Sequence, residues 1–340
     1  MGDCSVLGAN SMSQAARICL GILNTMTSLT ATCGNLLVIL VILYYKSLRR
    51  RSNYLILCLA ITDLTVGLLL QPLASAQIFN AIIGSNCNLA YAVTYIGAML
   101  CGASSWTLAL ISYDRYLHLV KLTNYNLFMT NKKLWLMVAF SWLFPISFGL
   151  LLFSDVTMDA YYGILVLSAN VVIVIIMVCY KRSWSFIRDK AKVFPRQTDM
   201  ESSKQEKDRI THHWKVAKTF ALIISCFLLC WTPMVSFVVY LMIIRKTSLS
   251  VGSFTPYLHT VYYLTLLMGY SNSTINPCIY FWRNRELKAA MKQFVLNVIL
   301  RQKRVQEAGL PSSVTQCSTA QLDAIQPAAM QPSKKLLSST

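Results

Sequence analysis

The sequence predicts an all-α fold: seven membrane-spanning helices in a bundle, followed by a short amphipathic eighth helix. Composition gives the first indication. Of the 340 residues, 55% are hydrophobic and only 13% are charged, about half the charged share of an ordinary soluble chain. Mean hydropathy is +0.51. The apolar residues gather in long windows nearly free of Asp, Glu, Lys and Arg. The net charge of +18 is strongly one-sided along the chain. Together these exclude a lone soluble domain, a disordered chain and a disulfide-stapled module. Nucleic-acid binding would suit the charge but fails on hydropathy.

A membrane helix needs about 20 apolar residues. Ile18 to Tyr45 carries no charge and gives span one. Ser52 to Asn80 carries only Asp63 and gives span two. Leu64 to Tyr113 is uncharged; it holds the rest of span two, a turn near Gly84–Asn88, and span three. Leu134–Ser154 is span four, Ala160–Tyr180 span five and Thr219–Ile244 span six. Thr247–Trp282 holds span seven, beginning near Pro256. The windows are continuously apolar and do not alternate, so they read as helices and not barrel strands.

The resulting domains are an outer tail over 1–17, the helical bundle over 18–282, a membrane-surface helix over 283–296 and a disordered inner tail over 297–340. The polar stretch Arg188–Arg209 reads as a flexible loop with helical extensions. All but three of the 31 Lys and Arg residues fall on one side; the exceptions are Arg17, Arg245 and Lys246. The positive-inside bias puts the N-terminus outside and the C-terminus in the cytoplasm. The 17-residue head has no hydrophobic segment, so span one itself targets the chain. The Asn272-Ser273-Thr274 triplet lies inside span seven and should stay unglycosylated. No internal repeat is apparent, which weakens a transporter built from inverted halves.

Asp63 is the one carboxylate deep in a span. Such a residue is costly in a membrane and usually functional. It reads as a cation or proton site, or else as a protonated or locally paired carboxyl. Asn35, Ser104, Asn272, Ser273 and Asn276 lie mid-span and could join it. One carboxylate with neutral oxygen ligands suits a small hard cation such as sodium. Asp114-Arg115-Tyr116 closes span three, as a plain interfacial ion pair or as a switch. Two spans carry proline inside the apolar run: Cys230-Trp231-Thr232-Pro233 and Asn276-Pro277-Cys278-Ile279-Tyr280. Proline removes a backbone hydrogen bond and bends the helix, giving a pivot.

These residues resemble the rhodopsin-like (class A) G-protein-coupled receptors. The matching motifs are Gly34-Asn35, Leu59-Ala60-Ile61-Thr62-Asp63-Leu64, Asp114-Arg115-Tyr116, Trp142, Tyr180, Phe227 with Cys230-Trp231-Thr232-Pro233, and Asn276-Pro277-Cys278-Ile279-Tyr280. They fall in order on the expected spans and cover roughly residues 18–296. The resemblance implies a plasma-membrane receptor and no enzyme. An extracellular ligand shifts a two-state equilibrium of the bundle. Trp231 forms the pocket floor, with Phe227 one turn below, and Pro233 lets the inner half of span six swing outward. Asp63, Ser104, Asn272 and Asn276 would hold an allosteric sodium ion, with no other cofactor. Arg115 would leave Asp114 and meet Tyr180 and Tyr280 as a heterotrimeric G protein enters the cytoplasmic cleft, with Asn276 and Pro277 shaping span seven.

The helix over 283–296 would lie on membrane lipid, with Leu287, Met291 and Phe294 toward it. No Cys follows before Cys317, which puts a palmitoyl anchor in doubt. Ser312, Ser313, Thr315, Ser318 and Thr319 are either sites for a receptor kinase, with arrestin following, or ordinary residues of a Ser-rich tail.

The chain departs from the family in several places. The outer loop near Ser154–Asp159 is short and lacks Cys, so the usual bridge from the top of span three cannot form. Cys87 pairs with Cys4 or Cys19, or stays free. Val172 stands where span five usually has proline, and His213 where many relatives have an acid that locks Arg115. These departures resemble the melanocortin, lysolipid, cannabinoid and adenosine receptors, and a weak lock implies basal signalling. The matched pocket positions are Gly97, Ala98 and Cys101 on span three, Met234, Val235 and Val238 on span six, and Leu266 and Tyr270 on span seven. Amine receptors have an Asp where Gly97 stands, opsins a Lys where Tyr270 stands, and adenosine receptors an Asn where Val238 stands. Leu73 and Ala90 occupy regions where melanocortin receptors gather acids. An apolar, aromatic pocket suits a hydrophobic or weakly polar small molecule. The alternatives are an orphan with constitutive activity and, far behind, a transporter. A membrane enzyme is weaker still, because the four His do not cluster and no nucleophile motif appears.

Overall fold

A computed structural model describes residues 12–79, 87–120, 125–150, 158–193, 200–246 and 256–307. Span one is α1, Gln14–Tyr44; Ser13 caps it by accepting from the Ala16 amide at 3.2 Å. Span two is α2, Arg51–Thr65, then a π-helical turn over Val66–Leu70, then α3, Gln71–Phe79. Span three is α4, Cys87–Val120, followed by the single turn α5, Tyr125–Phe128. Spans four to seven are α6, Asn131–Leu150; α7, Met158–Val193; α8, Met200–Lys246; and α9, Pro256–Arg283. Then comes α10, Arg285–Glu307. No strand occurs among the described residues.

Five of the helices are long and apolar enough to cross a membrane on those grounds alone: those at Gln14–Tyr44, Arg51–Phe79, Ala92–Val120, Ala160–Asp189 and Ala221–Ile244. The other two expected spans are α6 and α9. The α6 helix has 20 residues, about the length a membrane crossing needs, and carries its two lysines at one end. The α9 helix spends its apolar character on Ser271, Asn272, Ser273, Thr274 and Asn276. Both pack into the bundle: α6 against α4, and α9 against α1 and α8.

The helices run further than the hydropathy windows. The polar stretch expected as a flexible loop is largely helix, because α7 reaches Val193 and α8 starts at Met200. The segment 200–218 contains no Pro or Gly to interrupt a helix. Cys87 and Asn88, placed in a turn by sequence, open α4; the rest of that turn and the loop at 151–157 lie outside the described residues.

The chain divides into two compact units, Met1–Met291 and Lys292–Thr340. In the first, the start of α10 is packed and not lipid-facing: Leu287 is 1% and Met291 4% exposed. Both were expected toward lipid; their apolar side chains instead join the core. In the second, α10 remains helical to Glu307, past the expected end at 296, and 308–340 lie outside the described residues. The apolar faces of Ile22, Leu23, Met26, Leu29, Leu143, Leu167 and Val174 point outward, as lipid-facing helices require.

Close approach is built with glycine. A Cβ on Gly67 would stand 2.7 Å from Thr32 Oγ1 and 2.9 Å from the Thr32 amide nitrogen. The π turn can therefore lie directly against α1, where Ser28 Oγ donates to the Gly67 carbonyl at 2.7 Å. One turn further on, Asn24 Nδ2 donates to the Gln71 carbonyl at 2.7 Å and to Ser75 Oγ at 2.8 Å. Gln71 Nε2 donates to Thr27 Oγ1 at 2.8 Å.

Candidate functional site

Three groups of residues lie along the bundle. The first is apolar. Cys101 and Tyr270 are buried with Val66, Leu70, Ala74, Val93 and Leu100, and Trp231 and Leu266 pack against them. Gly97 completes this wall, since a Cβ there would sit 3.5 Å from Tyr270 Oη. Gly269 lies against Trp231, where a Cβ would sit 3.3 Å from the indole ring. Phe227 follows one turn away, ring centroids 6.5 Å apart. Trp231 Nε1 is buried with no hydrogen-bond partner. The other expected pocket residues do not enter this cluster: Thr265 Oγ1 contacts Met234 Sδ at 3.4 Å, Val238 is buried elsewhere, and Ala98 and Val235 are half-buried.

The second group surrounds Asp63, which is fully buried. Ser273 Oγ donates to Oδ1 at 2.7 Å, Ser104 Oγ to the same oxygen at 3.3 Å, and Asn276 Nδ2 to Oδ2 at 2.7 Å. Three spans thus meet at one carboxylate, which keeps its hydrogen bonds in a dry interior. Asn272, expected in this set, is buried and makes no hydrogen bond to Asp63 among the described residues; Ser273, its neighbour on α9, does. Asn35 Nδ2 donates to the Ser273 carbonyl at 3.0 Å and steadies that part of α9. The oxygens of Asp63, Ser104 and Ser273 form a donor set that fits a small hard cation. No cluster of three or more His, Cys, Asp or Glu occurs among the described residues.

The third group centres on Asp114, which is 1% exposed. Sequence paired it with Arg115, but it is not an ion pair here. Ser52 Oγ donates to Oδ2 at 2.8 Å, and Tyr125 Oη donates to Oδ1 at 2.6 Å. Consecutive helical side chains point in different directions, which makes an Asp114–Arg115 contact unfavourable. Burial, then the hydrogen bond to Asp114 and that carboxylate's charge, push the Tyr125 phenol well above its ordinary pKa. It therefore stays protonated and keeps donating. His118 stacks edge-on against Tyr125 at 4.2 Å. Tyr116 lies 6.5 Å from Tyr113, and Tyr180 lies 6.0 Å from Trp184, by ring centroids. Tyr280 is buried. His213 is on α8, but its side chain lies outside the described residues.

Proline sits inside α8 at Pro233 and inside α9 at Pro277, and also inside α6 at Pro145, which sequence reasoning passed over. Pro145 packs on Gly102, where a Cβ would be 2.8 Å from its ring. Cys19 is a free thiol, which removes one of the two pairings considered for Cys87. Cys4 and the Cys87 side chain lie outside the described residues.

The family model of the 7 transmembrane receptor (rhodopsin family) matches residues 34–280. The chain belongs to the rhodopsin family of seven-transmembrane receptors. Neuropeptide receptor 22 of Caenorhabditis elegans is 27% identical over 294 residues, 75% of this chain and 64% of that receptor. The histamine H2 receptor of Homo sapiens is 25% identical over 336 residues, 91% of this chain and 88% of that receptor. Trace amine-associated receptor 7e of Mus musculus is 29% identical over 308 residues, 80% of each chain. These relatives do not single out the melanocortin, lysolipid, cannabinoid and adenosine group. The rhodopsin-family receptor is a multi-pass plasma-membrane protein, and the expected seven-span fold stands.

Proposed function

We propose that this receptor passes an extracellular signal, carried by a small hydrophobic or weakly polar molecule, to heterotrimeric G proteins. The supporting observation is the apolar cluster of Cys101, Tyr270, Trp231 and Leu266 beside the buried Asp63 group. An apolar wall with one unpaired buried donor, Trp231 Nε1, suits a ligand with little charge and one acceptor. Histamine and trace amines figure in the names of two relatives. Gly97 brings no carboxylate to this wall, so an ammonium ligand held from that position is disfavoured. The charge asymmetry supports a cytoplasmic position for the Asp114 end. Ligand binding would shift α8 about Pro233 so that its inner half swings outward, with Arg115 then meeting Tyr180 and Tyr280. Receptor kinase and arrestin would act on the Ser- and Thr-bearing tail at 312–319, which lies outside the described residues.

A sodium ion would be held in the resting state by Asp63 with Ser104 and Ser273, and Asn276 would rotate its amide to offer oxygen. It would supply positive charge to a buried carboxylate.

A second reading, constitutive activity without a tight ligand, is favoured by the partners of Asp114. With Ser52 and Tyr125 on its carboxylate, Arg115 is not tethered to it. The test is basal cAMP, rise and fall, in cells expressing the wild type or Arg115→Ala at equal surface level. A basal signal abolished by Arg115→Ala is expected. A signal of equal size in both rejects coupling through this residue.

A further inference from the structure

Arg51, the first residue of α2, makes three hydrogen bonds to the segment that follows span three. Its Nε donates to Asn131 Oδ1 at 2.6 Å, and its Nη1 donates to Asn126 Oδ1 at 2.9 Å and to the Met129 carbonyl at 2.7 Å. We propose that Arg51 is a positioning residue that fixes the one-turn helix α5 and thereby the face offered to the G protein. This rests on the coupling reading above.

A single turn has no stability of its own in water. The α5 helix spans Tyr125–Phe128, and the Met129 amide closes on the Tyr125 carbonyl at 2.8 Å. Tyr125 and Met129 anchor its inner side, at 8% and 1% exposed. Two adjacent residues of α2 grip it from opposite ends. Ser52 reaches it through Asp114 and Tyr125, and Arg51 through Asn126, Met129 and Asn131. The ring of contacts α2–Asp114–Tyr125–α5–Arg51 is closed, so the turn cannot rotate without breaking several bonds. The result is that Leu127 stands 73% exposed on the outer side. A large apolar side chain held this far out, two residues from the Tyr125 that binds Asp114, is a contact for a protein partner. Only a planar fork reaches three acceptors in different directions; a Lys ammonium has the charge without that geometry.

Hydrogen exchange on the purified full-length receptor reads the clamp directly, and basal nucleotide exchange on Gs, Gi and Gq heterotrimers reads its consequence. Arg51→Ala should speed amide exchange over residues 125–130 by about ten-fold or more, because charge-assisted bonds are lost. Exchange elsewhere in the bundle should be unchanged. Arg51→Lys should recover less than half of the protection. Nucleotide exchange per receptor should fall about five-fold or more in Arg51→Ala, on the same free-energy scale. Should Arg51→Ala fold poorly, Asn126→Ala with Asn131→Ala removes two acceptors from the exposed side and should speed exchange about three-fold. Unchanged protection at 125–130 in either variant overturns the clamp. Lost protection with undiminished nucleotide exchange overturns its role in coupling. A wild type inert toward every heterotrimer overturns the coupling reading itself, and the clamp then stands or falls on hydrogen exchange.

Discussion

Replacing Gly67 by Ala is the sharpest test of how span two is built. The added Cβ would stand 2.7 Å from Thr32 Oγ1, 2.9 Å from the Thr32 nitrogen and 3.1 Å from the Ser28 carbonyl oxygen. Ordinary contacts are about 3.5–4.0 Å, so α1 must withdraw by roughly 0.6 Å or more from its backbone contact. It cannot withdraw freely, because Ser28 Oγ is bonded to the Gly67 carbonyl at 2.7 Å and Asn24 to the Gln71 carbonyl at 2.7 Å. Overpacking costs about 1–3 kcal/mol, and a strained hydrogen bond about 1 kcal/mol more. Losing a helical glycine returns about 0.5–1 kcal/mol. The net is a loss of about 1–3.5 kcal/mol, or roughly 2–14 °C in Tm at about 2–4 °C per kcal/mol. Gly163→Ala is the internal control, since a Cβ there would meet nothing nearer than Met242 Cε at 3.8 Å. It should leave Tm unchanged or raise it by about 2 °C. Thermal unfolding of both variants in one detergent, followed by tryptophan fluorescence, settles the comparison. Gly67→Ala melting at or above Gly163→Ala would refute the close approach of the π turn to α1.

The Asp63 group predicts a sodium effect on stability. Wild type should melt higher in sodium than in potassium at equal ionic strength. Asp63→Asn and Ser273→Ala should lose that difference, and Asn272→Ala should keep it; the reverse pattern for Ser273 and Asn272 would reject the assignment made on geometry. Tyr125→Phe removes one of two donors to a buried carboxylate. It should lower stability by about 1.5–3 kcal/mol. Ser52→Ala in the same thermal assay should act in the same direction, and the double variant should show non-additivity because both serve Asp114. Additive losses would mean that the two donors act independently.

The long apolar windows made the spans legible, because a bilayer imposes length and hydrophobicity on any helix that crosses it. The membrane anomaly of Asp63 and the proline positions in α8 and α9 were legible for the same reason. What escaped depends on angle and on distant partners. Ser273 and Asn272 are equally polar and adjacent, at i−3 and i−4 from Asn276, so nothing in the sequence tells which of them bonds Asp63. The π turn leaves no mark in composition; Gly67 was a faint sign, readable only once α1 lies against it. Asp114 was given to Arg115 by adjacency, although neighbouring side chains on a helix diverge, and that alone could have weakened the pairing. Arg51 was counted as one more inner positive charge. Its three acceptors lie some 75 to 80 residues away in sequence, beyond any local pattern.

The distribution of hydrogen bonds also says which element can move. Span two is fastened to α1 through Ser28, Asn24 and Gln71, to α4 through Asp63 and Ser52, to α9 through Asp63, and to α5 through Arg51. Directional bonds of this kind break before they slide. The described contacts of α8 differ in kind. Phe227 and Trp231 lie tilted to each other along the helix at 6.5 Å, Trp231 lies near Gly269, and Phe237 meets Tyr262 at 5.8 Å. Met234 contributes only a weak sulfur acceptor to Thr265. Apolar contacts are non-directional, so they can be exchanged for others of similar area with little loss. Pro233 leaves the helix one backbone bond short at the level of these rings. Around Trp231 the described part of α8 thus holds by apolar contact, against a frame pinned at α2 by directional bonds. The Asp63 group and the Asp114 group both belong to that frame, which is why substitutions there should change stability before they change the direction of the motion.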